Sequence, residues 1–315
     1  MRVLVVTNMY PSAARPALGR FVRDQVEALR GIDGIEVDVH EIEPGGGLRG
    51  YIAAIPAVRR QVRAGDYDVV HAHYGLSAPG AVAARRAPVV VTFHGTDLAD
   101  AAVGGISRRV ARRAALPATV SASLARERLP GAGTRRRVAV LPCGVDRDRF
   151  APRDRREARE RLGLDPDGRY LLFPADPGRM EKRHDRAQAV AAATGAVLLT
   201  YAGTHPDEVP DHVNAVNAVL APSDREGFGL APLEALACDV PVLATPVGIA
   251  PVALAGIAGT LCAPFDRDLW ARAALEPLDD PDPRIRGRAR AGIFDRHRMA
   301  ERVARAYSEV AGETA

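Results

Sequence analysis

Apolar and polar positions along this chain fall into short blocks whose period changes from one block to the next. Residues 1–7 contain R-V-L-V-V-T, an apolar run too short for a buried helix, which predicts a strand covered on both faces. A polar loop at 8–18 leads to Gly19 and then to R-F-V-R-D-Q-V-E-A-L-R, where apolar residues recur at helical spacing. Further strands are expected at 35–42, 69–72, 89–93, 118–120 and 138–141, with helices at 51–64, 79–86 and 106–115. A polar run at 146–167 then interrupts the pattern, with Pro152 and Pro166 near its ends and a charged helix-like segment inside. Beyond it come strands at 170–174, 197–202, 218–221 and 240–244, helices at 185–194 and 230–237, and a last helical stretch at about 284–311. Alternation of this kind predicts α/β architecture with parallel sheets. The interruption predicts two domains, 1–148 and 149–315.

Composition adds a compartment and a charge asymmetry. With 315 residues, 47% of them hydrophobic, the chain has material for two cores. No apolar run approaches the roughly 18 to 20 residues of a membrane span, and the first strand reaches Thr7 and Asn8 too early for a signal peptide, so a cytoplasmic protein is expected. Cys143, Cys238 and Cys262 are odd in number, widely spaced and set among apolar neighbours, as reduced core residues would be. Of the 43 basic residues only Lys182 is lysine, which singles it out as a site for a compact ammonium rather than a planar fork. Residues 1–150 hold 22 basic against 14 acidic residues, a surplus of 8, whereas 151–315 hold 21 against 25, a deficit of 4. The basic half carries arginine clusters, Arg59/Arg60/Arg63, Arg108/Arg109/Arg112/Arg113 and the run 135–137, beside Ile52, Ile55, Val58, Ile106 and Val110. Such a surface suits either a solvated face without a partner, since an arginine-rich composition produces clusters anyway, or a reversible contact with an anionic bilayer.

The chemistry concentrates at 224–248, D-R-E-G-F-G-L-A-P-L-E-A-L-A-C-D-V-P-V-L-A-T-P-V-G. Glu226 stands in a glycine-punctuated loop, and Glu234 follows after seven residues in a helix that Pro232 helps to start. A carboxylate, free backbone N–H groups at a helix start and a second carboxylate match the hydroxyls, phosphates and ribose of a nucleotide sugar in turn. Taken singly, Glu234 could serve the helix dipole and the glycines could serve turns.

The run E-G-F-G-L-x-P-x-E, followed by an apolar strand and V-G, resembles the donor-binding motif of retaining glycosyltransferase family 4. The resemblance extends over most of the chain: Pro11 and Gly19 after the first strand, D-V-V-H-A-H at 68–73, T-F-H-G-T-D at 92–97, L-P-C-G-V-D at 141–146 and F-P-A-D-P-G-R-M-E-K at 173–182. It implies a GT-B fold, two Rossmann-like domains with parallel sheets facing across a cleft, the first for the acceptor and the second for the nucleotide sugar. It assigns catalysis to His94, Glu226 and Lys182, and donor binding to Gly19, Arg179, Lys182, Glu226, Gly227, Phe228, Gly229, Leu230 and Glu234. Glu226 and the amides of 228–230 would hold the sugar, Glu234 the ribose and Lys182 the pyrophosphate, with His94 and Gly19 reaching the sugar and phosphate from the other domain. Three departures stand out: Cys143 replaces the more usual Asn before G-V-D, Arg179 lies closer to Lys182 than the family spacing, and 203–221 is short, so a compact member is implied.

No cofactor is expected. Neither is a metal: His71 and His73 form an H-x-H pair without a third ligand in view, and the D-x-D imitations Asp66/Asp68 and Asp146/Asp148 lie outside the usual context of metal-dependent transferases. The absence of G-x-G-x-x-G speaks against a dinucleotide oxidoreductase. A GT-B sugar-nucleotide epimerase and a non-catalytic binder of nucleotide or nucleic acid remain as alternatives, the latter disfavoured by few aromatics and no recognition-helix pattern. The acceptor is either a small molecule or lipid-linked.

Overall fold

The computed structural model describes residues 1–43, 47–129 and 137–312. The chain forms two units, Met1–Gly144 together with Arg296–Ala315, and Val145–Asp295. The first is built on a six-stranded sheet of β1 (Arg2–Thr7), β2 (Glu36–Glu41), β3 (Val69–His73), β4 (Val89–Phe93), β5 (Leu116–Thr119) and β6 (Ala139–Val140), in the order β2-β1-β3-β4-β5-β6. The second has five strands, β7 (Tyr170–Phe173), β8 (Val197–Thr200), β9 (Ala218–Ala221), β10 (Val242–Ala244) and β11 (Thr260–Cys262), in the order β11-β10-β9-β7-β8. Every strand pair is parallel. The α/β class and the paired parallel sheets read from the hydrophobic pattern are therefore present.

Helices on both faces of a sheet explain why its strands are continuous apolar runs. Val3, Leu4, Val5 and Val6 are all fully buried, and Val22, Val26 and Leu29 of the helix Arg20–Arg30 pack with Val3 and Val5 on one face of the sheet. The second core gathers Leu171, Phe173, Val190, Leu220, Leu243 and Trp270. Trp270 is fully buried because its indole N–H finds the Pro264 carbonyl at 3.2 Å.

The division at 148 and 149 needs correction. The expected stretch at 284–311 breaks into the helix Arg288–Ala291, a 3-10 turn Gly292–Phe294 and the helix Arg296–Gly312. That last helix belongs to the first unit, not the second. Its stripe Met299, Val303, Tyr307 and Val310 packs into the core of Val3, Val5 and Val69. Each such side chain contributes about 1.5 to 3 kcal/mol on burial, so the helix is a structural part of that core. Its spacing shows that a face is buried but not which sheet covers it. The short helices Thr96–Ala99 and Ala122–Arg128 and the strand β11 were also unread for want of a clear period, and so was the longer helix Arg267–Asp279, although its buried Trp270, Ala271, Ala274 and Leu278 recur at helical spacing. Of the basic run at 135–137, residues 135 and 136 lie outside the described residues.

Candidate functional site

In the second unit β9 ends at Ala221, and the loop to the helix Ala231–Ala237 carries the motif. Glu226 Oε1 accepts from Lys182 Nζ at 2.5 Å and from Ser223 Oγ at 2.8 Å. Both charged side chains are mostly buried, 16% exposed for Lys182 and 17% for Glu226. Oε2 of Glu226 has no protein partner among the described residues. Lys182 reaches this position from the 3-10 turn Met180–Lys182, whose C-cap Arg183 takes a left-handed conformation with φ 61° and ties Asp224 at 3.2 Å. The turn and the motif loop are joined again where the Asp224 amide donates to the Glu181 carbonyl at 2.9 Å.

Close packing shapes the loop. Gly248 has φ 60°, and a Cβ there would overlap the Phe228 carbonyl and crowd Glu226 Cβ. The Ile249 amide uses that closeness to donate to the Phe228 carbonyl at 2.7 Å. Phe228 itself is buried and meets Phe294 edge to face at 6.3 Å. Gly227, Gly229 and Leu230 are half-buried, with Gly229 packed near Glu226 Cγ. Thr245 Oγ1 donates to the Ser223 carbonyl at 2.5 Å, so β10 supports the residue that holds Glu226.

Glu234 lies in the first turn of the following helix, whose N-cap Leu230 offers no side-chain cap. Its charge acts on Tyr201, which follows β8. Burial, reinforced by that charge, pushes the Tyr201 phenol well above its ordinary pKa, and its hydroxyl is buried without a hydrogen-bond partner among the described residues. Arg179 is turned elsewhere. It donates to Glu181 Oε1 at 3.0 and 2.6 Å from an exposed position.

The first unit places its candidates at the ends of β1, β3 and β4. Gly19 has φ 65° and precedes the helix Arg20–Arg30, and a Cβ there would overlap the Met9 backbone. His94 follows β4, its backbone held by Asp97, which is fully buried and accepts from the amides of Gly75 at 3.0 Å, His94 at 3.1 Å and Gly95 at 2.9 Å. Burial raises the Asp97 carboxyl to about 6 against the lowering effect of those donors. The His94 ring stacks on His73 at 5.3 Å and packs on Phe21 at 5.0 Å. Burial lowers His94 to about 4 and His71 to about 3, and drives His73 well below its ordinary range, so all three are neutral.

His71 and His73 are not arranged as metal ligands, since both ring nitrogens of each meet protein partners. No group of three or more His, Cys, Asp or Glu suited to a metal ion occurs among the described residues. Asp68 accepts the Arg2 amide at 2.6 Å, and Asp146 accepts the amides of Asp148 and Arg149 at 3.1 and 3.0 Å. Cys143, Cys238 and Cys262 are free thiols, and Cys262 is exposed, contrary to the core position expected for it.

Sequence reasoning named Lys182, Glu226 and the glycine loop, and the fold brings these together. It missed Ser223, Thr245, Gly248, Tyr201 and Asp97. Of these, Gly248 had a signal in V-G after the apolar strand, and Asp97 in T-F-H-G-T-D.

Comparison with known proteins bears on the family and the fold. Residues 1–149 match Glycosyltransferase Family 4, and residues 176–280, which include Lys182, Glu226 and Glu234, match Glycosyl transferases group 1. The D-inositol 3-phosphate glycosyltransferase of Geodermatophilus obscurus is 30% identical over 85% of this chain and 72% of its own length. Its counterpart from Actinosynnema mirum is 32% identical over 74% and 70%. Among solved structures, sucrose-phosphate synthase from Thermosynechococcus elongatus superposes with a TM-score of 0.75 at 20% identity over 98% of both chains. Anabaena HepE in complex with UDP and glucose gives 0.75 at 18% identity over 98% of this chain and 100% of its own. The structures carry the fold and the sequence relatives carry the kinship: this chain belongs to glycosyltransferase family 4 and has the GT-B fold.

Proposed function

We propose that the protein transfers a sugar from a nucleoside diphosphate sugar to an acceptor hydroxyl with retention of anomeric configuration. The observation that carries this reading is the 2.5 Å pair between Lys182 of the turn Met180–Lys182 and Glu226 of the glycine loop that also leads to Glu234. An ammonium has three N–H donors, and one of them is used by Glu226, so two can meet the pyrophosphate. As the donor bond breaks, negative charge grows on the leaving phosphate, and a preset cation there lowers the barrier. Glu226 Oε2 and the amides of 228–230 hold sugar hydroxyls, and Glu234 holds the ribose. The family resemblance adds His94 for sugar positioning and Gly19, where any side chain would collide with Met9. No carboxylate is assigned as a nucleophile; the leaving phosphate takes the acceptor proton. Lys182 neutralises the pyrophosphate without a metal, so activity is expected to survive EDTA; loss on chelation that Mg²⁺ or Mn²⁺ restores would overturn this.

The relatives suggest where to begin: UDP-glucose, with which Anabaena HepE forms a complex, as donor, and D-inositol 3-phosphate as acceptor. A thermal-shift panel of nucleotide sugars identifies the donor, since a ligand at 100 times its Kd stabilises by about 2.7 kcal/mol. Proton NMR of the product then reads the anomeric configuration. Inversion, or a sugar nucleotide converted to its epimer without acceptor, would overturn the proposal.

Contact with a bilayer belongs to the same reading. Among the described residues no helix is long and apolar enough to cross a membrane. The helix Gly47–Ala64 exposes Leu48 and Ile52 on the same element as exposed Arg49, Arg59, Arg60 and Arg63. This face docks reversibly on anionic lipid from the cytoplasmic side and brings the enzyme to a lipid-linked acceptor; a soluble acceptor needs no such contact.

A further inference from the structure

Inside the first unit an unbroken line of polar side chains runs from the last helix to His94. Tyr307 OH lies 2.6 Å from His71 Nδ1, and His71 Nε2 lies 2.8 Å from Thr92 Oγ1. Gln25 Nε2 spans the two imidazoles, 3.4 Å from His71 Nδ1 and 3.2 Å from His73 Nε2. His73 Nδ1 then lies 3.1 Å from His94 Nε2. Tyr307 and His71 are fully buried, and His73 and Thr92 nearly so.

A neutral imidazole has one N–H and one bare nitrogen, so along such a line the choice at one end fixes the choice at every link. Two arrangements are possible, and the surroundings separate them. In the first, Tyr307 donates to His71 Nδ1 at 2.6 Å and takes its single lone pair, and the Gln25 amide turns an N–H toward that bare nitrogen at 3.4 Å and donates to His73 Nε2 at 3.2 Å. His73 then accepts at Nε2, carries its proton on Nδ1 and donates to His94 Nε2. In the second, every bond reverses: Tyr307 accepts, the Gln25 carbonyl takes both rings, and its two N–H donors face away. Among the described residues Gln25 has no other side-chain partner, and Tyr307 none but His71. The second arrangement therefore strands three buried or nearly buried donors. The first strands the Thr92 hydroxyl hydrogen and a carbonyl, which tolerates it better, and leaves one Gln25 N–H weakly engaged on His71. A phenol is also the stronger donor, and 2.6 Å suits O–H···N.

We infer that Gln25, His73 and Tyr307 are positioning residues that lock His94 into the tautomer protonated at Nδ1, so that His94 meets its ligand as a hydrogen-bond donor. The inference rests on the reading of His94 as the residue that positions the donor sugar. Nε2 is occupied by His73, and Nδ1 has no protein partner among the described residues, which leaves it for a ligand. Its ligand is accordingly an acceptor atom, a sugar hydroxyl oxygen or a phosphate oxygen, and His94 does not act as a general base through Nδ1. The line also gives the last helix a role beyond packing, since Tyr307 supplies its terminal donor.

The test of the tautomers needs no substrate. Uniformly 15N-labelled protein is studied by long-range proton–nitrogen correlation of the imidazoles, with His94 assigned through its loss in His94→Gln. The expected result is a single tautomer at each ring: His94 and His73 protonated on Nδ1, and His71 on Nε2. His94 protonated on Nε2 would overturn the inference outright. In Gln25→Met, close in shape but without donors, His94 should relax to an exchange-averaged mixture of both tautomers; if it keeps one pure form, Gln25 does not set it. The wild-type spectrum stands even if this variant fails to fold. Should the tautomers be as expected while His94→Gln turns over normally, the relay holds and the assignment of His94 to the donor sugar falls.

Discussion

In the second unit the candidate residues carry charge and are held by charge, Lys182 on Glu226 and Arg183 and Arg186 on Asp224. In the first unit they are neutral imidazoles held by directed hydrogen bonds among Gln25, Thr92 and Tyr307. The difference teaches what each can offer a ligand. A charged pair can exchange partners, so a phosphate can draw on Lys182 while Glu226 turns to hydroxyls. A neutral relay resists exchange and offers one hydrogen bond of fixed sense. The two regions should therefore fail in different ways when perturbed.

The largest effect is expected where backbone closeness shapes the charged loop. Gly248→Ala forces a side chain into the Phe228 carbonyl at φ 60° and should cost more than about 2 kcal/mol, combining overpacking with left-handed strain. Gly203→Ala, at φ 73° with nothing within 4 Å, should cost only the strain of about 1 kcal/mol. Denaturant midpoints compare the two; equal costs would mean that the Phe228 loop simply moves aside.

Next comes Lys182→Ala, which removes the preset cation and should lower kcat/KM by about 2 to 4 kcal/mol of transition-state stabilisation. A variant within threefold of wild type would take Lys182 out of the site. The same substitution leaves Glu226 half-buried with Ser223 alone, so some stability is lost as well.

The relay should answer to pH. His71, His73 and His94 are held neutral in the fold, with pKa values below the roughly 6.5 of the unfolded chain. Their contribution is complete above that pH and is lost as pH falls toward about 4, where only the unfolded state has gained protons. Asp97 runs the other way: raised to about 6, it gives stability below the unfolded carboxylate range and loses it as pH rises through 6. Three imidazoles outweigh one carboxyl, so the first unit should weaken by a few kcal/mol on acidification from pH 7 to 4, and more steeply in Asp97→Asn. The only tryptophan, Trp270, is buried in the second unit and reports that unit by fluorescence, while circular dichroism follows both. Transitions that shift together with pH would contradict the contrast.

The smallest effect concerns the basic face, where each cation contributes about 1 kcal/mol near anionic lipid. The protein should float with phosphatidylglycerol liposomes at low salt, leave them near 0.5 M salt as the Debye length falls toward about 3 Å, and ignore neutral liposomes. Sedimentation in every case would favour a soluble acceptor.

Legibility in the sequence followed the same contrast. The charged loop was readable because its residues lie within one stretch, Glu226 to Glu234, and because a lone lysine stands out in an arginine-rich chain. The relay was not, since Gln25, His71, Thr92 and Tyr307 come from four distant segments that only the sheet order β1-β3-β4 and the returning helix bring together. His71 and His73 were visible only as an H-x-H pair with no metal expected, and that spacing does not point to the hydrogen bonds they make. The last helix was read as a helix but placed in the wrong unit, because a buried stripe does not name its partner.

The central claim is that the charged loop divides the donor between its two carboxylates. Calorimetric titration of wild type, Glu226→Ala and Glu234→Ala, each with the nucleoside diphosphate and the nucleotide sugar found by thermal shift, tests it most directly. Glu234→Ala should weaken both ligands alike, whereas Glu226→Ala should bind the free nucleotide as wild type does and lose affinity only for the sugar form. Equal loss of free-nucleotide affinity in both variants, or no nucleotide binding by the wild type, would contradict the account.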